Sequence, residues 1–156
     1  MNWGAEADPE GGAITDQTVC IDWLTWCFEL PNFLECIGMA PSKVETTLGR
    51  LHHDGGNADL IAAAILEFYG LSQAGISMDG TPGTGRFYAF MVGLRDRNGH
   101  RCGTVEFGGD HTRRKSGAET ARVELTGRGC EQYEGRTASG AHRPRPWATL
   151  RAKLES

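Results

Sequence analysis

The chain has 156 residues, 39% of them hydrophobic and 8% aromatic, which suits one globular core. Its formal net charge is -4, and no run of about 18 apolar residues occurs, so no membrane-spanning helix and no membrane partner are expected. The acidic, polar start lacks the basic and apolar regions of an export signal, and the five cysteines include no C-x-x-C pair. A zinc site is therefore not expected; reduced thiols in a cytoplasm are, several of them serving as small core residues.

Residues 1–16, MNWGAEADPEGGAITD, form a loose acidic leader, and 17–156 a single domain. The stretch TVCIDWLTWCFEL (18–30) is rich in β-branched and aromatic residues and ends at Pro31, which predicts a strand. Apolar residues on both of its faces predict a central, buried position. Ser42 with Glu45 three positions later matches a capping box and predicts a short helix over 42–50. NADLIAAAILEFYG (57–70) is the clearest helix, with Asn57 as cap, an apolar stripe from Leu60 to Phe68, and Gly70 as stop.

Two β-rich runs between 86 and 109 flank Asp96-Arg97-Asn98-Gly99, and Asn-Gly is a strong hairpin signal. A third run, TARVELTG (120–127), alternates Ala121, Val123 and Leu125 against Arg122, Glu124 and Thr126, as a half-buried strand does. GCEQYEGR predicts a short helix at most, RTASGAHRPRP a basic loop, and PWATLRAKLES a final helix opening near Pro146. The fold class is therefore α+β: an antiparallel sheet, made of a central N-terminal strand and a three-strand meander, packed by helices.

GTPGTGRF (80–87) has the glycines of a phosphate-binding loop. It lacks the lysine that reaches terminal phosphates and the hydroxyl that binds magnesium, with Arg86 and Phe87 in their places. The segment after it reads as a strand, so no helix dipole faces the loop, and an entry loop to the hairpin is the better reading. His52 and His53 lie before Asp54-Gly55-Gly56 and read as a loop pair rather than metal ligands. No catalytic triad or Cys/His pair stands out. Glu106 and Glu124 do not amount to a catalytic carboxylate pair on sequence alone, and Tyr69, Tyr88 and Tyr133 read as packing residues.

Charge is divided unevenly. Residues 1–84 hold 2 Lys/Arg against 12 Asp/Glu, a balance of -10, while 85–156 hold 14 against 8, a balance of +6. Either a basic face results, able to attract a polyanion, or the halves neutralise each other. The cluster Arg113, Arg114 and Lys115 between two strands suits phosphate contacts, and Arg122 and Arg128 extend it across the sheet.

Taken in order, Ile21-Asp22-Trp23-Leu24, Gly108-Gly109, Thr126-Gly127-Arg128-Gly129-Cys130 and the tryptophan helix WATLRAKL resemble the N-terminal part of replication initiation factors. These are the rolling-circle initiators of filamentous phages and certain plasmids. The resemblance spans roughly residues 18–154 and rests on order and spacing rather than on one specific motif. It implies a protein that binds replication-origin DNA and meets host replication proteins. In that family a tyrosine attacks a phosphodiester while acidic residues hold a divalent metal, Mg or Mn. Asp22 is the position it implies as a metal ligand. The family's helix is followed by an R-x-D strand and the catalytic tyrosine, whereas this sequence stops at Ser156. The expectation is thus an incomplete initiator domain that keeps DNA binding and assigns no catalytic residue. The competing expectation is a non-enzymatic protein-interaction or regulatory module whose acidic half meets a basic partner.

Overall fold

The computed structural model describes residues 23–109, 119–139 and 147–155. The chain order is β1 (Leu24–Glu29), α1 (Leu30–Cys36), α2 (Pro41–Asp54), α3 (Ala58–Phe68), β2 (Ser77–Thr84), β3 (Phe90–Arg95), β4 (Arg101–Phe107), β5 (Thr120–Leu125), α4 (Gly127–Ser139) and α5 (Trp147–Glu155). Five antiparallel strands form one sheet in the order β1-β5-β4-β3-β2, confirming the α+β class and the β3-β4-β5 meander.

The N-terminal strand is at the edge of that sheet, not at its centre. Among the described residues β1 pairs with β5 alone, and its burial alternates, Leu24, Trp26 and Phe28 being half-buried and Thr25, Cys27 and Glu29 exposed. Its apolar character on both faces came from Trp23, which is 59% exposed, and Cys27, a residue small enough to face water. Pro31 does not end the segment in a loop either. It occupies the first turn of α1, where its missing N–H has no bond to lose.

Proline also relocates the next boundary. Pro41 opens α2, so Ser42 lies inside the helix, the capping box does not form, and the helix runs on to Gly55 at φ 69°. Asn57 sits just before α3 but does not cap it; its Nδ2 donates instead to the Thr47 carbonyl at 3.0 Å and ties α3 to α2. Along α3, Ala58, Ile61, Ala62, Ala64, Ile65 and Leu66 are buried.

The core lies between these helices and one sheet face. Val92 and Leu94 of β3, Val105 and Phe107 of β4, and Ala121, Val123 and Leu125 of β5 are all buried on that face. Each buried aliphatic or aromatic side chain contributes about 1.5–3 kcal/mol relative to exposure. Of the described cysteines, Cys102 and Cys130 join the core while Cys27 and Cys36 are exposed.

The Thr126–Cys130 motif has a packing explanation. Thr126 donates its N–H (2.9 Å) and its hydroxyl (3.2 Å) to the Cys102 carbonyl, and Cys130 N–H returns to Thr126 O at 2.8 Å. A Cβ on Gly129 would collide with the Cys102 carbonyl, so only glycine lets the first turn of α4 rest against β4. That junction starts a helix of 13 residues, longer than the short helix expected and running into the stretch expected as a basic loop.

Candidate nucleic-acid interface

The sheet face opposite the core is the surface on which charged residues gather. Ladder pairs fix its occupants: Glu106 opposite Arg122, Thr104 opposite Glu124, Met91 opposite Glu106, and Cys27 opposite Arg122. Alternation along each strand sends these side chains away from the buried residues between them.

At its centre, Arg122 is held by two carboxylates. Its Nη2 reaches Glu124 Oε1 at 2.8 Å and its Nη1 reaches Glu106 Oε1 at 3.4 Å. The group carries a net negative charge, and Arg122, 32% exposed, is engaged by both carboxylates. Glu106 and Glu124 are equally committed and do not form an acid/base pair. Tyr88, in the turn before β3, lies beside Thr120, Arg122 and Glu106. Burial pushes its phenol above the usual tyrosine range, although the hydrogen bond with Thr120 works against that shift.

A second group sits toward β2. Arg95 Nη2 pairs with Asp79 Oδ2 at 2.9 Å, and Arg95 Nη1 donates to the Gly99 carbonyl at 2.6 Å. That Arg95 hydrogen bond holds the Asp79 carboxyl below its ordinary range, aided by the charges of Arg95 and Arg101. The Arg101 guanidinium lies against Gly93, within 2.5–2.7 Å of where a Cβ would stand, so glycine makes its bed. Arg101 makes no direct ion pair among the described residues. At the tip of the β2–β3 hairpin, the Arg86 guanidinium lies 5.0 Å from the ring centroid of Phe87, which is 53% exposed. An exposed ring and a cation together make a surface on which a nucleobase can stack.

Of the five basic positions singled out in the sequence, Arg113, Arg114 and Lys115 lie outside the described residues, as does Asp22. Arg128, in the first turn of α4, contacts His100 Nδ1 at 3.3 Å, beside the β3–β4 turn. Arg122 is bound to Glu106 and Glu124 on the sheet face, and no contact between Arg122 and Arg128 is found among the described residues. Arg86 was noted in the sequence only as standing in for the phosphate-loop lysine, and Arg95 and Arg101 were not singled out; the signal of the latter two was their position beside Asn98-Gly99 in the alternating strands.

GTPGTGRF is not an entry loop throughout. Residues 80–84 belong to β2, with a register irregularity between Asp79 and Gly83, and only 85–89 turn. β3 follows, so no helix N-terminus faces the glycines. His52 is bound to Glu119 at 2.7 Å and His53 approaches Asp54 at 3.6 Å. Among the described residues no group of three His, Cys, Asp or Glu could hold a metal ion, and no helix is long and apolar enough to cross a membrane. No family model matches the sequence, and no curated protein or solved structure matches it significantly.

Proposed function

We propose that the protein binds DNA, as a protein of the replication-initiator kind acting at an origin. The observation that carries this reading is the single-layer sheet with one face left to polar side chains. On that face Arg101 lies on Gly93 outside any direct ion pair among the described residues, and the Arg86–Phe87 pair stands at the hairpin tip. Phosphates would meet the guanidinium groups and an unstacked base the Phe87 ring. Arg113, Arg114 and Lys115 supply further cations in the same half of the chain. A divalent metal held through Asp22 belongs to the same proposal and carries no step of it.

The reading assigns binding and no chemistry. Tyr133 donates its hydroxyl to the Tyr69 carbonyl at 2.5 Å and stacks on Trp26, a packing arrangement. Burial raises the Tyr88 phenol and so disfavours the phenolate a nucleophile needs. Gel shifts with single- and double-stranded DNA over a salt series test the proposal. Affinity should fall steeply as salt rises; absent or salt-independent binding would overturn it. Recovery of protein partners without nucleic acid would instead favour an interaction module.

A further inference from the structure

We propose that β1 is a self-association edge, through which two copies of this chain join their sheets about a twofold axis. The two edges of the sheet differ. β2 carries Pro82, a register irregularity between Asp79 and Gly83, and Gly80 at φ 83°, all of which spoil a pairing template. β1, LTWCFE, contains neither glycine, proline nor lysine and keeps an unbroken register with β5 over six pairs. Among the described residues it pairs on that side only.

The hydrogen-bond phase of β1 shows which groups face outward. Leu30 N–H donates to the Glu119 carbonyl at 2.9 Å, one step past the Glu29–Thr120 pair. In an antiparallel ladder alternate residues bond the same neighbour. Leu24, Trp26 and Phe28 thus turn their peptide groups to β5, and Thr25, Cys27 and Glu29 turn theirs outward, to the edge that no described strand occupies.

Those three residues match themselves. Centred on Cys27, an antiparallel pair sets Cys27 against Cys27 of the partner subunit and Thr25 against Glu29 of the partner subunit. Every outward N–H and C=O of the three is then used, and the strand's one charge meets a hydroxyl rather than a like charge. On the other face Trp26 meets Phe28 of the partner subunit. Both rings are half-buried, and both already touch Tyr69, at 5.2 and 5.3 Å between centroids. The aromatic cluster would thereby run across the junction. A self-complementary strand at a twofold is what an isologous interface requires, and it favours a second copy over an unrelated strand.

Sedimentation of the full chain over a concentration series tests this, without DNA. A concentration-dependent dimer is expected. Thr25→Glu, at an exposed position, sets like charges opposite each other twice and should weaken the dimer about tenfold, while Thr25→Lys, facing Glu29, should strengthen it. A short bis-maleimide should link Cys27 to Cys27, identified by peptide mass spectrometry. Circular dichroism checks that both variants fold. A monomer at every concentration would overturn the proposal, as would a dimer indifferent to both Thr25 substitutions or linked without Cys27.

Discussion

His52 on α2 grips Glu119 at the foot of β5, Nε2 to Oε1 at 2.7 Å, and Glu119 is only 3% exposed. The same carboxylate oxygen accepts the Gly109 N–H at 3.3 Å, while the Glu119 carbonyl accepts the Leu30 N–H at 2.9 Å. One residue thus joins α2, the exit from β4 and the start of α1. A buried carboxylate left short of a partner costs more than the bond itself was worth. His52→Ala should therefore destabilise the fold by about 1–2 kcal/mol, measured by urea unfolding with fluorescence detection. A change below about 0.3 kcal/mol would show that the contact contributes nothing.

Arg101 and Arg122, both on the open face, should separate in a binding experiment. Arg101→Ala removes a cation that makes no direct ion pair among the described residues, so it should weaken DNA binding and reduce the salt slope by about one. Arg122→Ala leaves Glu106 and Glu124 facing each other and should cost about 1–2 kcal/mol of stability. It should leave the salt slope unchanged, because its guanidinium is already occupied. A reversed pattern would move the interface to β5.

Asp96 gives the hairpin turn an acid limit. Its Oδ1 accepts the N–H groups of Asn98 and His100, each at 2.9 Å. The His100 bond above all holds its carboxyl below the ordinary range; burial opposes the shift, and the Asn98 bond adds to it. A depressed folded pKa means a contribution fully present above the unfolded value, about 3.9, and lost as pH falls through the folded value. Asp96→Asn should be less stable than the parent at neutral pH, and the gap should close in acid. Parallel denaturant titrations at neutral and acid pH check this; a gap independent of pH would contradict the assigned cause.

What could be read from the sequence was local. The Asn98-Gly99 hairpin, the alternation of β5 and the helix α3 follow from neighbouring residues and are found where expected, although Phe68 at the end of the α3 stripe is exposed and Leu60 only half-buried. What could not be read was set by partners distant in the chain. β1 has the composition of a central strand because the Trp26 and Phe28 rings pack on Tyr69, the residue that caps the end of α3; among the described residues one strand alone flanks it. Ser42 has every attribute of a cap except the preceding residue's freedom, since Pro41 starts the helix first. The partners of two arginines could not be read either: Arg122 meets two glutamates and Arg128 meets His100 beside the β3–β4 turn.

The fastening around Glu119 also fixes how β5 lies against β4. The Gly109 N–H meets Glu119 Oε1, and the Gly108 N–H meets the Thr120 carbonyl at 3.3 Å, so the last rung of that ladder is held by a side chain and a backbone bond together. A one-residue slip of β5 against β4 would break both bonds at once and turn Arg122 and Glu124 toward the core, so this corner acts as a register lock for the whole sheet.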